Sequence, residues 1–257
     1  MRAESAPTIA APAAVAPARA APARPLPILT YHNIGVAPSG ATHRGLYLSP
    51  EKLRFHFDVL AALGWRGVSI ADALPYLGGQ ARGRVAALTF DDGYVDNLEL
   101  ALPALQAHGF GATCFVVAGQ FGGYNAWDAE LLRVRKPLMD IAQVRAWLAA
   151  GMHVGSHTLT HPHLPQLDTR AKRREIVDSK ALLEDRLGVP IEHFCFPYGD
   201  HDAECIDLVA EAGYRSAVTT VRARARSGDR MHALPRLPNG GRRSRARFVL
   251  RALLWGR

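Results

Sequence analysis

A parallel α/β barrel is the fold the sequence predicts, on two observations. Short apolar runs alternate with segments of helical periodicity about seven times between Pro27 and Thr219, and chemically loaded residues follow directly after the apolar runs. Alternation of this kind implies strands joined by crossover helices. Reactive groups at successive strand C-terminal ends suit the rim of a barrel. A doubly wound sheet alternates in the same way but gathers its site at one switch point.

Pro27 to His32 reads as a strand that stops at Asn33-Ile34-Gly35. Ser49 is a helix cap with Pro50 in the first turn, Leu53, Phe57, Leu60 and Leu63 follow at helical spacing, and Gly64 ends the run. Gly67 to Ile70 is a brief strand and Ala71 to Leu77 a short helix. The run Val85 to Phe90 is a buried strand, followed by a helix from Asn97 to His108 and a strand from Ala112 to Val117. The irregular stretch from Gly119 to Pro137, long for a compact domain, is a candidate substrate loop. Ile141 to Ala150 is a helix, Met152 to Gly155 a strand, and Asp168 caps a helix that runs to Leu187. Phe194 to Phe196 is a strand, Cys205 to Ala212 a helix, and Tyr214 to Thr219 a strand.

The chain divides into an Ala/Pro-rich, disordered lead over residues 1–26, a barrel over 27–240, and a basic C-terminal helix or tail over 241–257. The prolines of the lead break the apolar core a signal peptide needs. The net charge of +8 is local: eleven arginines face a single aspartate between residues 222 and 257, which leaves 20 basic against 22 acidic residues elsewhere. A near-neutral barrel with a basic tail argues against nucleic acid and for a solvated surface, or for peripheral contact of the tail with a membrane or an anionic glycan. Cys114, Cys195 and Cys205 have no paired metal spacing, and the first two sit in apolar runs as small buried hydrophobes.

Leu88-Thr89-Phe90-Asp91-Asp92-Gly93 carries two carboxylates out of the buried strand. Neither can be buried unpartnered, and neighbours at a strand end point in opposite directions. One can hold a cation while the other faces a substrate. Gly155-Ser156-His157-Thr158-Leu159-Thr160-His161 adds two imidazoles after another strand. Two histidines and one carboxylate make a three-ligand hydrolytic metal site with room for water. Asp-Asp-Gly alone equally suits a capping turn, and two histidines alone suit a surface turn; at two strand ends they reinforce each other.

Thr89-Phe90-Asp91-Asp92-Gly93, Ser156-His157-Thr158-Leu159-Thr160-His161-Pro162 and Phe196-Pro197-Tyr198-Gly199 together resemble the successive motifs of the polysaccharide deacetylases, the NodB homology domain of carbohydrate esterase family 4. The resemblance spans residues 27–238 and implies a distorted (β/α)7 TIM-like barrel that removes N- or O-acetyl groups from sugar polymers, here an N-acetylated glycan, with a divalent metal, zinc first and cobalt or nickel as alternatives. It implies Asp92, His157 and His161 as metal ligands and Asp91 as general base. It also implies a Tyr198 backbone N–H at the oxyanion, with Pro197 and Tyr198 against the substrate. Trp127 is a candidate for stacking on a sugar ring. Family habit implies the cell envelope or periplasm, and the missing signal peptide implies the cytoplasm if it is real.

Two features depart from the family pattern. No late Leu-x-x-His follows Tyr214, and His232 stands in an irregular stretch. Thr30-Tyr31-His32 instead resembles the subgroup acting on poly-N-acetylglucosamine and other exopolysaccharides, whose acid histidine comes first, so His32 is the expected general acid. The third motif also lacks its arginine, and Arg236 in Leu234-Pro235-Arg236-Leu237 is expected to supply that charge to Asp91. These departures leave a non-catalytic, glycan-binding member of the fold as the alternative. A glycosidase using Asp91 with Asp92 is disfavoured, because adjacent residues do not flank a sugar linkage.

Overall fold

The computed structural model describes residues 24–241 and 244–255. Most of the predicted lead lies outside the described residues. Leu26, assigned to that lead, is buried and exchanges two backbone hydrogen bonds with Ala225, so it belongs to the barrel.

Eight parallel strands form the main sheet: β1 (Ile28–Tyr31), β2 (Arg66–Val68), β3 (Val85–Phe90), β4 (Thr113–Val116), β5 (His153–Ser156), β6 (His193–Cys195), β7 (Ser216–Val218) and β8 (Leu237–Pro238). Their order is β8-β1-β3-β4-β5-β6-β7, with β2 paired to the first half of β3. Leu234 bridges Val218 of β7, while Leu237 and Pro238 pair with Leu29 and Thr30 of β1. The extended segment from Leu234 to Pro238 therefore closes the sheet into a ring of seven staves.

Alternation within each strand sorts its side chains between two apolar clusters. Leu29, Leu88, Phe90, Cys114, Val116, Phe194 and Ala217 join the large cluster with the helices. Ile28, Ala87, Phe115, Cys195, Val218 and Leu234 form a second cluster that fills the barrel. Phe115 fits because its neighbour across the ladder is Gly155, where a Cβ would come within 2.5 Å of the Phe115 ring. With Ala87 inside, Thr89 and Asp91 are inside as well, stacked towards the C-terminal rim.

The helices follow their signals. Ser49 accepts from the Lys52 N–H at the start of the helix Pro50–Ala62, and Asp140 and Gln143 form a capping box on Ile141–Ala149. The helix expected from Asn97 opens with a π turn, Asn97–Ala101, before Leu102–Ala107. The helix capped by Asp168 also carries a π turn, Arg174–Asp178. Within residues 241–257, expected as a basic helix or tail, Arg245–Trp255 is a helix packed on Pro50–Ala62 through Phe248, which stacks on His56 with ring centroids 3.8 Å apart.

Candidate active site

β3 delivers both carboxylates to the rim. The Asp91 N–H still donates to the Tyr31 carbonyl, so Asp91 keeps the strand's inward phase. The chain then turns left-handed at Asp92 (φ 75°) and Gly93 (φ 75°), which separates the paths of the two acidic side chains. An aspartate tolerates this region better than most residues. Gly93 has less choice, because a Cβ there would lie 3.0 Å from Val116.

Asp92, His157 and His161 converge. One donor atom from each lies within 4.8 Å of the others, and all three residues are buried. The Nε2 atoms of His157 and His161 are each 3.5 Å from Asp92 Oδ1. That exceeds an ordinary N–H···O hydrogen bond of ~2.7–3.2 Å. It matches the roughly 3.3–3.5 Å expected between two donors that each bond tetrahedral zinc at ~2.0–2.2 Å. The His157 Nδ1 lies 2.7 Å from the Cys195 carbonyl, which can only accept, so Nδ1 carries a proton and Nε2 is the atom turned towards Asp92. Burial works to lower this imidazole, but Cys195 and Asp92 raise it well above its ordinary value, so an ion binds Nε2 in exchange for a proton. Burial pushes His161 down to about 4 against the pull of Asp92, so its ring is neutral at neutral pH. Burial alone would raise Asp92, but the two imidazoles outweigh it and hold the carboxyl well below the usual range. The donor set fits a divalent metal.

Asp91 faces a different set of partners. Arg236 Nη1 and Nη2 donate to its two oxygens at 2.7 and 2.8 Å, while Nε donates to the Thr219 carbonyl at 2.8 Å. Nη1 also reaches Thr89 Oγ1 at 3.1 Å and Nη2 reaches Cys195 Sγ at 3.2 Å. Burial works to raise Asp91, but the guanidinium and then His32 overcome it and keep the carboxyl below its ordinary value. His32 Nε2 is 3.7 Å from Asp91 Oδ2, with a quarter of its side chain exposed to the cavity. The Asn97 amide holds the His32 carbonyl at 2.8 Å, which gives the π turn a role in setting the histidine.

The loop carrying the imidazoles is strained and clamped. Thr158 (φ 69°) and His161 (φ 65°) are left-handed, as is Tyr198 (φ 58°) on the facing loop. Such conformations cost ~1–3 kcal/mol each and persist where the surroundings impose them. Glu175 supplies the clamp: one carboxylate oxygen accepts the N–H groups of Leu159 and Thr160 at 2.9 Å each, and the other accepts the Thr160 hydroxyl at 2.7 Å. Sequence reasoning missed Glu175, because nothing in a helical stretch marks which carboxylate will face a loop.

These groups line a cavity of about 440 Å³ on the C-terminal rim. His32, Asp91, Asp92, His157, His161, Tyr198, Trp127 and Arg236 all line it, whereas Pro197 is buried and does not. The face of Trp127 lies on His161, ring centroids 4.6 Å apart, so it packs against an expected metal ligand as well as bordering the cavity. Its neighbour Asp128, unnoticed in the sequence, adds a carboxyl that burial pushes up to about 6. His232 is held elsewhere, on the Tyr214 carbonyl at 2.8 Å.

An α/β barrel with a buried Asp-His-His cluster at its rim defines a class of hydrolase, and the comparisons agree. The polysaccharide deacetylase family profile matches residues 78–217. The chain belongs to the polysaccharide deacetylase family and is a deacetylase hydrolase by that membership. It is 27% identical over 214 residues to Bacillus subtilis YxkH, a protein provisionally named a polysaccharide deacetylase, covering 82% of this chain and 70% of that one. The fold is shared with Streptococcus pyogenes deacetylase PplD in complex with acetate (TM-score 0.75, 23% identity, 90% of this chain and 99% of that chain). It is shared also with IcaB from Ammonifex degensii (TM-score 0.76, 24% identity, 89% and 97%).

Proposed function

We propose that the chain removes N-acetyl groups from sugar residues of a polysaccharide or oligosaccharide, with a divalent metal held by Asp92, His157 and His161. The convergence of those three donors beside a separately held Asp91 carries this reading. Zinc suits the donor set, and cobalt and nickel accept it too. When bound, the metal would polarise the acetyl carbonyl and acidify the attacking water.

The remaining chemistry belongs to the chain. Asp91 takes a proton from the water as its oxygen attacks the carbonyl carbon. Arg236 keeps Asp91 ionised and fixes its plane. The Tyr198 backbone N–H donates to the carbonyl oxygen as it gains negative charge. The C–N bond breaks once the nitrogen is protonated, and His32 gives that proton, releasing acetate and a free amine. His32 and Arg236 answer the two departures from the family pattern, which supports catalysis over passive glycan binding.

Metal analysis joined to acetate release from N-acetylglucosamine oligomers tests this. Chelation and dialysis are expected to abolish turnover, and zinc to restore it. Full activity in metal-free protein overturns the reading.

A further inference from the structure

The helix Arg245–Trp255 has two unlike faces. Phe248, Ala252 and Trp255 are buried against the barrel. Leu250, Leu253 and Leu254, at i, i+3 and i+4, are 58%, 50% and 46% exposed on the opposite side. Arg247 shares that outer face, Arg245 and Arg251 flank it, and no acidic residue occurs in the helix. Single exposed leucines are ordinary, but three together on one face are not.

The basic surface continues past the helix. Trp255 meets Trp65 edge-on at 5.8 Å, and its carbonyl accepts from Arg224 at 3.1 Å. Trp65 in turn lines a cavity of about 380 Å³ bordered by Arg24, Arg82 and Arg84. Trp65 and Arg84 immediately precede β2 and β3, so this cavity lies at the strand N-terminal ends, across the barrel from Asp91 and Asp92.

We propose that the outer face of Arg245–Trp255, with the arginines around Trp65, docks this protein on an anionic phospholipid surface. The leucines enter the boundary between headgroups and acyl chains while the arginines meet lipid phosphates. Charge complementarity selects an anionic surface, at about fivefold in affinity per arginine near it. The leucines select lipid over an anionic glycan, which offers nothing apolar to enter.

Co-sedimentation of the full chain with vesicles tests the proposal. Binding is expected to vesicles containing phosphatidylglycerol, to weaken with salt, and to be absent with phosphatidylcholine alone. Leu250→Ser/Leu253→Ser/Leu254→Ser is expected to lose tenfold or more in affinity, with circular dichroism and acetate release unchanged. Arg82→Ala/Arg247→Ala is expected to weaken binding and flatten its salt dependence. Equal binding of the leucine variant, or equal binding to neutral vesicles, overturns the proposal. So does capture by heparin without vesicle binding, or a dimer that the leucine variant dissolves in a protein that ignores vesicles.

Discussion

Arg236 grips both oxygens of Asp91, at 2.7 and 2.8 Å, from a stave that follows it by 145 residues. Both side chains are almost wholly buried. The guanidinium has no freedom left, since its remaining donors are taken by Thr219, Thr89 and Cys195. A planar fork of this kind orients the carboxylate as well as neutralising it.

Arg236→Met leaves Asp91 buried without its cation. Loss of one partner of a buried pair costs about 3–5 kcal/mol, and a domain of this size loses roughly 2–4 °C in Tm per kcal/mol. A thermal melt is expected to fall by ~6–20 °C on that scale. Arg236 holds the Asp91 pKa down, so its removal raises that pKa, and the acid limb of kcat/KM is expected to move to higher pH. In the wild type, the stability that comes from this depressed carboxyl is present above its unfolded value and disappears as pH falls through the folded one.

Asp91→Asn tests the proposed division between base and ligand. It is expected to lower kcat/KM by ~10²–10⁴, the usual contribution of a general base, with metal content unchanged by elemental analysis. His157→Ala is expected to lose both. Metal loss in the Asp91 variant would contradict the division of roles between the adjacent carboxylates.

His32→Gln should discriminate between leaving groups. An amine must be protonated to depart, whereas a nitrophenolate leaves unaided. Deacetylation of N-acetylglucosamine oligomers is expected to fall ~10²-fold or more, while hydrolysis of p-nitrophenyl acetate falls far less. An equal loss on both substrates would assign His32 to positioning, not to proton transfer.

Glu175→Ala releases the loop that bears His161. The residue touches no ligand atom, yet it holds two backbone N–H groups and a hydroxyl of that loop. Metal affinity is expected to weaken by ~10–100-fold, as for other supporting groups of metal ligands. Competition with a chelator reads the effect directly, and Glu175→Gln should fall between the two.

The sequence was most informative where a period and a boundary coincide. Val85–Phe90 is read to the residue, since an apolar run ends abruptly in two acids and a glycine. Capped helices such as Pro50–Ala62 are legible for the same reason. Two-residue elements are not: Asn33–Ile34 pairs with Tyr47–Leu48, and Leu237–Pro238 closes the ring, with too few residues for any period to show. The π turns at Asn97–Ala101 and Arg174–Asp178 also have no sequence signature, and they carry Asn97 and Glu175, the supports that were missed. The motif residues were visible in the chain because chemistry restricts them locally. Their supports depend on helix phase and three-dimensional neighbours.

The closing stave has a consequence for biosynthesis. Translation delivers Asp91 long before Leu234–Pro238, so a growing chain holds the acid without the cation that offsets its burial. The inner barrel therefore has reason to stay unsealed until that last segment docks. Chains interrupted ahead of it would lack catalytic competence and the lock on their own interior together, leaving few half-built molecules able to act.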